Sequence, residues 1–191
     1  TAGSLTLTVT GTVTLWQLEA GAYATTYIPT TTATVTRIAD AFTRDNIFTN
    51  GLITSSGGTW FVELRNNIAY TRDGLSTGLF LDTDANSYTN GINIRNAGGG
   101  STRLSISKWV SGSGLQLYTT TTDTTKIAIK WNGSTADVFV NGTKVISATS
   151  FTPTAMQFLK SQGNLIPIFI QQMALYPTPL SDTACIALTT L

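Results

Sequence analysis

The amino-acid sequence predicts an all-β protein, a sandwich or a barrel of antiparallel strands with one short helix. Short apolar runs recur along the chain with turn residues between them, the spacing expected of such folds. β-Branched residues abound, and about one residue in five is threonine, a strand former. Helical periodicity is confined to the C-terminus.

At the N-terminal end, Leu5, Leu7, Val9, Val13 and Leu15 alternate with Thr6, Thr8, Thr10, Thr12 and Thr14. That period of two predicts a half-buried strand, or a strand pair broken near Gly11. A two-stranded ribbon is marginal in water. Residues 1–20 are therefore expected to pair with the main domain, or to belong to a preceding domain or a neighbouring subunit. Pro29 biases Ile28 toward extended geometry, as a junction requires.

From about residue 40 the strand candidates follow in series. They are Thr59 to Leu64, Gly78 to Leu81, Gly91 to Arg95, Arg103 to Trp109, and Gly114 to Tyr118 running into Thr119 to Thr122. Gly98-Gly99-Gly100 supplies a turn where positive φ has no steric cost. Ile127, Ile129 and Trp131 share one face of the next strand, and Val138 and Val140 share a face of its partner. Asn132-Gly133 and Asn141-Gly142 mark tight hairpins. Ser181 and Asp182 open a short helix carrying Ala184, Ile186, Ala187 and Leu188.

Composition narrows the function. The 191 residues can bury roughly 70% of the unfolded surface without a staple. Net charge is +1 and charged residues are 11%, so no basic face is expected for nucleic acid. No apolar run is long enough for a membrane-spanning helix, and membrane insertion is not expected. Histidine is absent, which excludes a Ser-His-Asp triad and removes the usual general base. The single cysteine, Cys185, excludes an intrachain disulfide and reads as a small buried apolar residue. Neither an initiator methionine nor a signal-peptide pattern stands at the start, so the sequence reads as a processed piece or a domain cut from a longer chain.

Two resemblances sharpen this picture. Gln17-Leu18-Glu19-Ala20-Gly21, continuing to Thr25-Thr26-Tyr27-Ile28-Pro29-Thr30, resembles a junction segment of bacteriophage tail-fibre and tailspike proteins. Gly58 to Glu63, Gly91 to Ile94, Lys126 to Gly133, Asp137 to Thr143 and Ile170 to Asp182 match, in order, the laminin-G/pentraxin-type module of the concanavalin-like lectin class. The resemblance implies an antiparallel two-sheet jelly-roll sandwich over 40–191. Residues 1–30 then form the last strand or strands of a preceding β domain, or an inter-subunit segment, with the junction; 31–39 are a linker.

Such sandwiches host lectins, glucanases and structural domains, so the fold leaves the chemistry open. Glycoside hydrolysis needs two carboxyls a few ångströms apart. The only glutamates are Glu19 and Glu63, and no second carboxylate shares the strand of Glu63, so no enzyme is expected. Asp82-Thr83-Asp84-Ala85-Asn86 places three oxygen-bearing side chains at alternate positions, as a calcium loop opens. Ser87 stands where such loops carry glycine and no glutamate closes the motif, so a polar turn is the competing reading. For sugar contacts the candidates are Trp109, which breaks the parity of Leu104, Ile106 and Lys108, and Tyr88 in the Asp/Asn loop. Packing is the competing role for both.

The expected function is a non-catalytic virion structural protein, a tail-fibre or tailspike module that binds host cell-surface polysaccharide. Its expected location is the outer surface of the virion, as a homotrimer among other virion proteins. The alternative is a decoration or trimerisation domain without a ligand site.

Overall fold

The computed structural model describes residues 6, 8–12, 14, 17–18, 27, 29–30, 33, 35, 43–66, 78–83, 90–96, 104–121, 124–151, 156–162 and 168–191. The chain divides into two compact units, Thr1–Ala39 and Asp40–Leu191. In the first unit, Leu5, Leu7, Val13 and Leu15 lie outside the described residues. The described members of that alternating run, including Val9, belong to no strand, and Val9 is exposed.

The second unit is the expected two-sheet antiparallel sandwich. Its strands are β1 (Thr43–Arg44), β2 (Gly57–Asn66), β3 (Gly78–Asp82), β4 (Gly91–Asn96), β5 (Leu104–Val110) and β6 (Ser113–Thr120), then β7 (Thr124–Asn132), β8 (Thr135–Val140), β9 (Thr143–Ser150), β10 (Phe158–Gln162) and β11 (Ile168–Tyr176). One helix follows, α1 (Asp182–Thr189). A six-stranded sheet runs β1-β10-β3-β4-β5-β6, and a five-stranded sheet runs β11-β2-β7-β8-β9. Every pairing is antiparallel.

Alternation along each strand puts one set of side chains between the sheets. Trp60, Val62 and Leu64 of β2 meet Ile127, Ile129 and Trp131 of β7 and Val138 and Val140 of β8 in one core. Leu79, Leu81, Ile92, Ile94, Leu104, Ile106 and Leu159 close it from the other sheet. Trp131 stands opposite Gly58 in the β2–β7 ladder, and a Cβ at Gly58 would lie only 2.2 Å from an indole carbon. The indole therefore occupies the space that the missing side chain leaves. Its Nε1 donates to the Thr54 carbonyl at 3.1 Å, which lets a polar ring sit in the core.

The hairpins follow their turn residues. Between Val140 and Thr143, Asn141 and Gly142 have φ of 47° and 78°, the positive pair of a type I′ turn. Ser111 and Gly112 make the same turn between β5 and β6, with φ of 49° and 78°. The β7–β8 turn is displaced by one residue from the Asn132-Gly133 expected. Asn132 pairs with Thr135, leaving Gly133 and Ser134 as the loop, because Gly133 takes the positive φ at the first loop position. In β9, Ala148 has φ of 49° where the register to β8 shifts. The Asp137 carboxylate accepts its N–H at 2.8 Å and holds this bulge.

Helix α1 starts where Ser181 accepts the Ala184 N–H, as its sequence predicts. It packs on β7, β8 and β9 at the outer face of the five-stranded sheet. Cys185 is buried there with Ala128 and Phe139, the small apolar role expected of it. Around this contact, Lys144 bridges Asp137 at 2.9 Å and Asp182 at 3.0 Å. Lys130 pairs with Asp182 and lies 3.5 Å from Asp137, and both ammonium groups stand 5.6 Å from the Phe139 ring centroid. Hydrogen bonds from Lys130 and Lys144 hold the Asp182 carboxyl below its ordinary range. Burial opposes ionisation of Asp137, but the Ala148 amide and the two ammonium groups outweigh it and hold that carboxyl low as well. Hydrogen bonds to Asp137 and Asp182 push Lys144 up.

Trp131→Ala should destabilise the domain by about 3–5 kcal/mol in denaturant unfolding, because the cavity opens in a closed core. The α1 anchorage should be pH-limited on both sides. The lowered carboxyls contribute above about pH 4 and lose that contribution as pH falls through their folded values. The raised Lys144 contributes below about pH 10 and loses its share as pH rises through its folded value. At neutral pH, Asp182→Asn should speed thiol-reagent labelling of Cys185 by up to about five-fold, the scale of an exposed ion pair.

Candidate functional site

Alternation gives the six-stranded sheet an outer face, and its residues fall in cross-strand rows. One row is Lys160 of β10, Phe80 of β3, Asn93 of β4, Ser107 of β5 and Gln116 of β6. Beside it, Gly78, Arg95, Ser105 and Thr119 form a second row, and Asp82, Gly91, Trp109 and Gly114 a third. Polar side chains thus line the face in the same strands whose other residues, Ile92, Ile94, Leu104 and Ile106, build the core.

Trp109 lies on this outer face. It stands between Gly91 and Gly114 in the ladder, and a Cβ at Gly114 would come within 2.9 Å of the indole. Gly114 gives the ring room to lie along the sheet, whereas a Cβ at Gly91 would meet the β3 backbone at Leu81. Arg95 and Trp109 are four ladder positions apart, about 13 Å at the usual rise per residue. The Arg95 guanidinium carbon nevertheless stands 6.0 Å from the Trp109 ring centroid. The two side chains lean toward each other across the Asn93–Ser107 pair, at a distance where a cation is drawn to a ring face.

Asn93, Ser105 and Ser107 are fully buried. Ser105 Oγ lies 3.3 Å from Ser107 Oγ and 3.3 Å from Gln116 Oε1, so the hydroxyls are satisfied. Asn93 is not: among the described residues neither atom of its amide has a hydrogen-bond partner, and neither does Arg95 Nε. A buried amide without partners costs about 1–3 kcal/mol and calls for a water or a ligand. The Trp60 indole N–H is unpartnered too, but it is a single donor inside the core. Asn93 presents a donor and an acceptor together, under an aromatic ring and a guanidinium.

The other sequence candidates divide. Asp82 is buried at the end of β3, where its Oδ1 accepts the N–H of Thr83 at 2.6 Å and of Asn90 at 3.3 Å. Asn90 Oδ1 in turn accepts the Ser111 N–H at 2.9 Å, tying the β3–β4 loop to the β5–β6 turn beside Trp109. This geometry fits a hairpin cap. Asp84, Asn86 and Tyr88 lie outside the described residues. Among the described residues, no three His, Cys, Asp or Glu side chains are grouped to hold a metal. Glu63 belongs to the five-stranded sheet, paired with Lys126 and Gln172, on the other side of the sandwich from Asn93. The carboxyls that do approach each other, Asp137 and Asp182, share two lysines and are held ionised, unlike the raised general acid of a glycosidase.

The sequence candidates for sugar contact on this face were confined to Trp109 and did not include Asn93, Arg95, Ser105, Ser107 or Gln116. Their signal was present: polar residues at alternate positions in strands whose other face is apolar.

Solved structures share this architecture. The CBM40 of the Ruminococcus gnavus IT-sialidase, bound to alpha2,3 sialyllactose, matches with a TM-score of 0.52 and 14% identity, over 80% of this chain and 94% of that one. The chain shares the two-sheet jelly-roll fold of that module. The binding domain of botulinum neurotoxin DC, in complex with rat synaptotagmin II, matches with a TM-score of 0.51 and 15% identity. That match covers 71% of this chain and 35% of the toxin chain. Sheep galectin-11 in complex with glycerol has a TM-score of 0.47 and 10% identity, over 73% of this chain and 99% of that one. No family model and no curated protein sequence matches the chain.

Asp82→Ala should cost about 1–3 kcal/mol in thermal or denaturant unfolding, the penalty for unpairing two backbone donors. The cost should be the same with and without millimolar calcium. A calcium-dependent cost would instead mark a metal site, since only the folded loop would assemble its ligands.

Proposed function

We propose that the chain is a non-catalytic glycan-binding module of a phage tail fibre or tailspike, which attaches to host cell-surface polysaccharide. The observation that carries the binding reading is the buried, unpartnered Asn93 amide under Trp109 and Arg95 on the outer face of the six-stranded sheet. A sugar ring offers an apolar face for the indole and hydroxyls that donate and accept at once, which suits an amide. The R. gnavus CBM40 of similar fold binds a sialylated sugar, which supports the same class of ligand here.

The phage reading rests on the junction residues 17–30, which resemble tail-fibre and tailspike junctions. With it come a place on the outer surface of the virion, other virion proteins as partners, and a homotrimer. Non-catalytic binding is supported by the position of Glu63, which has no second carboxylate on its strand. A decoration or trimerisation domain without a ligand is the second reading. The exposed Leu115 on the edge strand β6, with Val110 exposed at the end of β5 beside it, favours it, as an uncovered apolar edge invites a neighbour.

The test is an array of bacterial surface polysaccharides probed with the wild-type chain and with Trp109→Ala and Asn93→Ala. Binding should fall about ten-fold or more in each variant, since each loss is worth about 1.4 kcal/mol or more, while unfolding remains cooperative. No reducing ends should appear during incubation. Undiminished binding by both variants would move the site elsewhere, and binding to no polysaccharide would favour the second reading.

A further inference from the structure

The outer face of the six-stranded sheet also says what kind of sugar it suits. Arg95 is half-buried, and among the described residues its guanidinium has no carboxylate partner. Its one described contact is the Trp109 ring. Lys160, in the row of Phe80 and Asn93, is a buried ammonium on the same face. Among the described residues of this face the one carboxylate is Asp82, whose Oδ1 is taken by the Thr83 and Asn90 amides. Among the described residues of this face Arg95 is thus a cation whose guanidinium has no carboxylate beside it. A half-buried guanidinium without an anion is expensive to keep, and it becomes favourable when an anion arrives.

We propose that the site selects an acidic glycan, with the Arg95 guanidinium taking a sugar carboxylate in a two-pronged hydrogen bond. This rests on the glycan-binding reading above. In the ligand-free protein the guanidinium leans on the Trp109 ring, and it turns from there to the carboxylate. Asn93 is fully buried between them, so its amide comes within reach of a sugar hydroxyl only once the guanidinium has turned away. Arginine suits this task better than lysine because its planar fork matches both carboxylate oxygens.

The test compares three acidic probes with their carboxyl-reduced forms: polygalacturonate, hyaluronan and α2,3-sialyllactose. Reduction converts each carboxylate to a hydroxymethyl group and leaves the other hydroxyls in place. The wild-type chain should bind at least one acidic probe, and its reduced form ten-fold or more weakly. Arg95→Gln should bind the native probe about as weakly as the wild type binds the reduced one, and Arg95→Lys should restore only part of the affinity. Affinity for the acidic probe should fall as salt rises, as screening requires. Equal binding of native and reduced probes, or an Arg95→Gln variant that keeps the preference, would overturn the acidic assignment and leave glycan binding standing. Binding of no probe in either form, together with failure on the polysaccharide array, would overturn both.

Discussion

Everything in this domain depends on the parity of its ladders. In an antiparallel pleat a slip of one residue exchanges the two faces of a strand. Here the register between β2 and β7 is pinned by a tryptophan laid over a glycine, Trp131 over Gly58, inside the sandwich. The same device recurs on the other sheet with the opposite sense: Trp109 lies over Gly114 on the outside. A shift in either ladder would bring a Cβ against an indole and turn a row of isoleucines to solvent. The tight core and the polar outer row are two consequences of one alternation.

The two outer faces then have different fates. That of the five-stranded sheet is sealed where α1 packs, with Cys185, Ala128 and Phe139 beneath it and a square of two lysines and two aspartates around it. Every charge in that square has a partner, and together they anchor the helix. The six-stranded sheet keeps Asn93 and Arg95 with hydrogen-bonding capacity unspent among the described residues. Polar burial of this kind works against folding, and the places where a chain accepts such a cost are where function is to be sought.

Much of this was legible in the residues. The alternation of Ile127, Ile129 and Trp131 against Val138 and Val140 located the core, and Ser181-Asp182 located the helix. Edge elements were not legible. The two-residue β1, and β10 with Lys160 and Ser161 among its five residues, lack any apolar run; β10 is a strand because β3 offers an edge, and β1 because β10 then offers its own. The β7–β8 turn slipped by one residue because a single glycine could take either loop position. Trp109 was visible as a break in the parity of an apolar series, whereas Asn93, Arg95 and Ser107 look like ordinary solvent-facing residues until the register sets them side by side. Their burial is a tertiary fact, as is the approach of Arg95 to the ring.

The central claim is that the outer face of the six-stranded sheet is where this domain meets a glycan. Nuclear magnetic resonance of the isotopically labelled chain, titrated with oligosaccharide fragments of a polysaccharide it retains, tests it most directly. The Asn93 side-chain amide and the Trp109 indole N–H should shift together along one saturating curve. The Trp131 indole and the Cys185 amide, on the inner face and under α1, should stay in place. Shifts confined to α1 or to the five-stranded sheet, with Asn93 and Trp109 unmoved, would contradict the account.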